Sequence, residues 1–164
     1  MWADEATLKE IKKRGIYVVP TVFPITWVGD TPEKMMHGPM KNMPPPIMKK
    51  LLGLVNKGSQ PVIMTRMAIK LGVKIALGTD AGVYPHGLNG GEFEQYVKAG
   101  MSPMEAIESG TVNAADLLGL SDQIGTLEPG KDADVVAVSG DPLKDTAVLK
   151  HVDFVMHWGK VFKE

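Results

Sequence analysis

The feature that most constrains this chain is a unit that occurs twice: a helix, a glycine, then at once a short apolar, β-branched run. In the first copy Asp4 is expected as N-cap, Leu8 and Ile11 share a helical face, and Lys12, Lys13 and Arg14 load the carboxyl end of the dipole. Gly15 follows where a left-handed residue commonly ends a helix, and Ile16-Tyr17-Val18-Val19 reads as a strand buried on both faces. In the second copy Ser59 is the expected N-cap, with Pro61 in the first turn. Ile63, Met67 and Leu71 recur at helical spacing, Gly72 closes the helix, and Val73 to Gly78 reads as a second buried strand. Two such units predict an α/β fold with a parallel sheet or an α/β barrel.

Between the two copies the pattern breaks. Seven of the twelve prolines lie within residues 20–46, together with Met35, Met36, Met40 and Met43. Proline forbids a central strand and interrupts a long helix, so this segment reads as a long loop. It is either a pliable, Met-rich apolar lid or a poorly ordered insertion. A helix is expected over residues 47–56. After Gly78 the loop 79–89 leads into three helices. The first sets Phe93, Tyr96 and Val97 on one face. The second opens on Ser102-Pro103-Met104-Glu105, a capping box with proline at the first helical position. The third spans about 111–118 and stops at Gly119. The last forty residues change character: 134–138 and 152–158 read as strands, with a tight hairpin turn at Trp158-Gly159-Lys160-Val161 and a short turn near 142–149.

Composition excludes several classes. Eighteen basic against nineteen acidic residues give a net charge of −1, with no basic face, which argues against a nucleic-acid-binding surface. No apolar run reaches the roughly 18 residues of a spanning helix, so no membrane role is expected, and a cytoplasmic location is favoured. With no cysteine, disulfides, thiolate metal sites and a thiol nucleophile are excluded. The Gly87–Gly91 stretch lacks the Lys-Ser/Thr of a phosphate loop and its strand-to-helix setting.

Chemistry concentrates in Gly78-Thr79-Asp80-Ala81-Gly82-Val83-Tyr84-Pro85-His86-Gly87. A carboxylate stands just beyond a buried strand, at the edge where parallel α/β proteins carry their sites. From spacing alone, Asp80 either meets a ligand or caps the next turn. Tyr84, between Asp80 and His86, is expected to pack.

Gly78-Thr79-Asp80-Ala81-Gly82, Met101-Ser102-Pro103-Met104-Glu105-Ala106, the run 113–120 and the run 125–134 resemble, in this order, the end of the amidohydrolase superfamily. The nearest branch is similar to the imidazolonepropionase-like group that includes Xaa-Pro dipeptidases (metal-dependent prolidases). The resemblance implies a (β/α)₈ TIM-type barrel with a composite β-sandwich, and one or two divalent metals, often zinc, at the barrel mouth. The family's ligands are an HxH pair, a carboxylated lysine, two further histidines and an aspartate. Asp80 matches that aspartate, which in the family holds metal and takes a proton from the water that attacks an amide-type carbonyl. The resemblance also puts His86 on the substrate side as a binding residue; the alternative is a loop histidine bonded to backbone. It implies that residues 1–123 are the C-terminal part of the barrel, with 16–21 and 73–78 as its seventh and eighth strands, and that 124–164 belong to the sandwich.

The departures are as informative. No HxH occurs, and the four histidines, His37, His86, His151 and His157, match no family ligand position. A mononuclear hydrolytic zinc takes three protein ligands, and two strands cannot close a barrel. The expectation is therefore the C-terminal part of a longer metal-dependent hydrolase acting on a small molecule or dipeptide. Its partner would be the rest of the barrel or another protomer, as a homo-oligomer. The alternative is a non-catalytic fragment or degenerate paralogue serving as a folding or interaction unit.

Overall fold

The computed structural model describes residues 3–30, 42–47, 49, 53 and 59–164. Helix α1 (Glu5–Lys13) starts as its sequence dictates: the Asp4 carboxylate accepts the Thr7 N–H at 2.8 Å, and Leu8 is fully buried. Gly15 takes a φ of +66° and the chain turns directly into the first apolar run. There Val18 donates its N–H to the Lys74 carbonyl at 2.9 Å, and Ala76 donates to the Val18 carbonyl at 3.1 Å. These bonds make a parallel bridge between Val18 and Ile75.

The pairing is shorter than the sequence predicts. Ile16 and Val19 are 48% and 45% exposed, so the first run is not a strand buried on both faces. Its extended backbone finds a ladder partner at one residue. The second run is deeply placed, with Val73, Ile75 and Ala76 buried. Its other side is closed by helices: Leu77 donates to the Ser109 carbonyl at 2.9 Å, and the Asn113 amide donates to the Ile75 carbonyl at 3.0 Å.

A second correction concerns the proline-rich segment. Residues Phe23–Asp30 form helix α2, inside the stretch read as loop. Pro24 sits in its first turn, where a missing N–H costs nothing. Met35, Met36, Met40 and His37 lie outside the described residues, as does most of the helix expected over 47–56, so the lid reading falls there too.

Helix α3 (Ser59–Leu71) begins at Ser59 itself rather than after it, and Gly72 ends it at φ +68°. Helices α4 (Gly91–Ala99), α5 (Pro103–Ser109) and α6 (Val112–Leu118) follow in succession, each packed on the one before. The capping box closes as expected: Ser102 Oγ accepts from Glu105 N at 3.2 Å, and the Glu105 carboxylate accepts from Ser102 N at 2.7 Å. Leu8, Val22, Met64, Ala68, Val73, Ile75, Tyr96 and Ala106 form one core cluster. Tyr96 and Ala68 are inaccessible to solvent. The core thus lies between the two apolar runs and the helices that cover them.

The tail is a three-stranded antiparallel sheet, β1 (Val135–Val138), β2 (Val152–His157) and β3 (Lys160–Lys163), in the order β1-β2-β3. A 3₁₀ turn, Thr146–Lys150, leads into β2 and packs against α4. The third strand was legible only as the far side of a hairpin. Among the described residues, no helix is long and apolar enough to cross a membrane. The observed architecture is therefore mixed helix and small antiparallel sheet, with one parallel bridge at its centre.

Candidate functional site

The loop after Ile75 carries the predicted residues. Gly78 is required at its start: a Cβ there would stand 2.4 Å from Val19 Cγ1, so only glycine lets the ends of the two paired runs approach this closely. Two residues on, Asp80 is exposed and left-handed, at φ 47°. Aspartate tolerates that conformation better than most side chains. Its carboxylate accepts no hydrogen bond and forms no ion pair among the described residues. The alternative in which Asp80 caps a turn therefore finds no bonded partner there.

Tyr84 packs, as expected. It is 1% exposed, its ring meets Phe23 edge-on at 4.7 Å, and Trp27 stands 6.4 Å away. The Tyr84 hydroxyl is hydrogen-bonded to the Thr79 hydroxyl and also donates to the Thr79 carbonyl at 3.0 Å. Burial, first of all, raises the Tyr84 pKa, and the nearby Glu92 and Asp80 charges push the same way. His86 lies exposed further along the loop, where Gly87 N–H donates to Asn89 Oδ1 at 3.2 Å.

Glu92 is the residue that the sequence reading missed. It occupies the first turn of α4 yet is fully buried. Its two carboxylate oxygens accept Val22 N–H at 2.8 Å and Phe23 N–H at 2.9 Å. Helix α2 has no acidic residue in its own first turn, so Glu92 supplies the negative charge that its amino end attracts. Burial pushes the Glu92 pKa up to about 7; the bonds from Val22, Phe23 and the Thr79 hydroxyl oppose that shift without cancelling it. Gly91 makes the approach possible, because a Cβ there would lie 2.4 Å from the Phe23 ring. Further along α4, the Tyr96 hydroxyl donates to the Pro20 carbonyl at 2.6 Å. Residues 20–23 are thus fastened to α4 at two points. The only local signal was an acid behind two glycines, which reads as an ordinary dipole residue.

The donor set can be tested against a metal. Among the described residues, no group of three or more His, Cys, Asp or Glu side chains stands close enough to hold one. Asp80 offers a single carboxylate and His86 a single imidazole, short of the three protein ligands of a hydrolytic zinc. The described residues therefore do not fit a metal site by themselves.

Fold and sequence together define the class. Residues 3–162 match the model of the amidohydrolase family, and the chain belongs to that family. Among solved structures it is similar to a Xaa-Pro dipeptidase with methionine bound in its active site, at 37% identity and a TM-score of 0.84, over 98% of this chain and 38% of that one. Ochratoxinase from Aspergillus niger is 43% identical over 101 residues, which is 58% of this chain and 21% of the relative. Imidazolonepropionase from Symbiobacterium thermophilum is 33% identical over 113 residues, 63% of this chain and 24% of the relative. The chain thus spans under a quarter of these curated relatives and under two fifths of the matched structure.

Proposed function

We propose that this chain is the C-terminal segment of a hydrolase of carbon–nitrogen bonds of amide or Xaa-Pro dipeptide type. In this reading residues 1–123 are the end of a (β/α)₈ barrel and 124–164 part of its sandwich. Asp80 is the residue at the reacting centre, as a metal donor and proton acceptor, and His86 faces the substrate. A divalent metal, zinc by the family resemblance, would polarise the carbonyl and acidify water. The described residues supply too few donors, so no step through the metal is written for this chain alone. The substrate is a small molecule or dipeptide, and the partner is the remaining barrel or a second protomer.

The observation that carries this reading is the state of Asp80. It stands just past the carboxyl end of a run that bridges in parallel, exposed, left-handed and without a bonded partner among the described residues. A carboxylate held in a sparsely populated conformation and unused by the fold is available to a ligand.

The test is hydrolysis of Xaa-Pro dipeptides, with zinc or manganese, by the chain alone and joined to a segment carrying the remaining barrel. The joined protein is expected to be active, and Asp80→Ala to lower kcat on the order of 10³-fold. His86→Ala is expected to raise KM with kcat little changed. An inactive joined protein, or one indifferent to Asp80→Ala, overturns the reading. The shortage of donors favours a second one, a non-catalytic folding or interaction unit. Stoichiometric zinc retained by the purified chain, measured by elemental analysis, would count against that alternative.

A further inference from the structure

We propose that Glu92 is a positioning residue for Asp80: it braces the turn after Ile75 against the amino end of α2, and thereby holds Asp80 left-handed with its carboxylate free. The inference rests on the reading of Asp80 as the residue at the reacting centre.

The contacts form a chain. Glu92 takes the N–H groups of Val22 and Phe23. Phe23 meets the Tyr84 ring edge-on, and the Tyr84 hydroxyl bonds both to the Thr79 hydroxyl and to its carbonyl. Asp80 is the next residue along the chain and, among the described residues, has no bond of its own to fix it. Its backbone conformation is therefore decided by Thr79, and Thr79 is held by Tyr84, which Glu92 reaches through Phe23.

Plain packing does not account for this choice of side chain. Burying a carboxylate costs several kcal/mol before its bonds are counted, and an apolar residue of similar volume would fill the same space without that cost. A glutamate does what a leucine cannot: it accepts two amide N–H groups at the amino end of α2 and so holds Phe23 where its ring meets Tyr84. The amino end of α2 and the turn before Asp80 come from segments more than fifty residues apart in sequence, and Phe23, whose N–H Glu92 accepts, joins them through the Tyr84 ring.

The experiment is nuclear magnetic resonance on the labelled 164-residue chain. It reads backbone couplings at Asp80, which report a positive φ, and amide exchange throughout. The variants are Glu92→Gln, which keeps the volume, and Thr79→Val, which cuts the link without stranding a charge. Glu94→Gln on the same helix is the control. In Glu92→Gln, exchange at Val22 and Phe23 is expected to rise roughly tenfold. In both variants Asp80 loses the signature of its positive φ while α1 and α3 keep their protection, and the control changes neither. Asp80 keeping its couplings in both variants overturns the proposal. So does acceleration of every amide alike in Glu92→Gln with Asp80 unmoved in Thr79→Val. Should Glu92→Gln fail to fold, Thr79→Val decides alone: loss of the positive φ supports the brace, and retention refutes it. None of these readouts needs hydrolysis. If Asp80→Ala leaves activity intact, the enzymatic reading falls and the coupling survives; if Asp80 ignores Glu92 and Thr79, the reverse holds.

Discussion

Two described residues other than glycine lie in the left-handed region, Asp80 at φ 47° and Trp158 at φ 50°, and they are held there by different means. Trp158 begins the turn between β2 and β3, followed by Gly159 at φ 72°, the left-handed pair that a type I′ hairpin requires. Its N–H donates to Asp134 Oδ1 at 2.8 Å, Gly159 N–H reaches the Ala133 carbonyl at 3.1 Å, and its ring stacks on His157. The ladder next door explains its backbone completely. Asp80 has no ladder beside it, and its turn is tied down from α2, where the Phe23 ring meets Tyr84 and the Phe23 N–H is held by Glu92 of α4. Strain offset by local pairing is a property of a hairpin; strain maintained from a distance is the kind that sites carry.

The comparison can be broken in four ways, starting with the largest effect. Phe23→Ala removes the ring that joins α2 to Tyr84 and to the face of Gly91. It is expected to cost about 3–5 kcal/mol in urea unfolding, and to free the Asp80 turn while leaving the hairpin resonances in place.

Next comes pH. Glu92 has a folded pKa of about 7, above its ordinary value of 4.5. The folded state therefore takes up a proton while the unfolded chain remains ionised, and stability rises as pH falls through 7 toward 4.5. The full cost of the buried charge is present above pH 7. The charged and titratable neighbours are Tyr84, Tyr96 and, through Tyr84, Asp80. Urea midpoints at pH 8 and pH 5.5 should differ, by an amount on the order of 2–3 kcal/mol that Glu92→Gln abolishes. An unchanged difference in that variant would assign the pH dependence to other groups.

A smaller effect is expected from Tyr84→Phe, which deletes the bonds to Thr79 but keeps the ring against Phe23. About 1 kcal/mol should be lost, with faster exchange confined to the loop after Ile75. The smallest change sharpens the other side: Trp158→Asn suits a type I′ turn better and should gain about 0.5–1 kcal/mol, read as a higher Tm, with no effect at Asp80.

How much was legible in the sequence follows from where the bonds go. Helices α1 and α5 carry their caps within three residues, Asp4 to Thr7 and Ser102 to Glu105, so their starts could be read directly. Helix α2 could not, because its first N–H groups are satisfied by Glu92, seventy residues away. Prolines that looked like loop signals sit where such a helix tolerates them. The apolar run ending at Gly78 and the acid beyond it were visible in the order of the residues. That the run pairs at one residue, and that its other flank is closed by helices, depends on contacts no local pattern announces. Asp80 stood out because glycines surround it; Glu92, equally central, was disguised as a dipole residue.

The closed flank matters for how this segment can associate. Along residues 74–77 the backbone groups alternate: those of Lys74 and Ala76 go to Val18, whereas those of Ile75 and Leu77 go to the Asn113 amide and the Ser109 carbonyl. An incoming β-strand on that second side would first have to evict a helix end, so spurious edge-to-edge growth is blocked there. On the side of Val18, by contrast, Ile16 and Val19 still meet water.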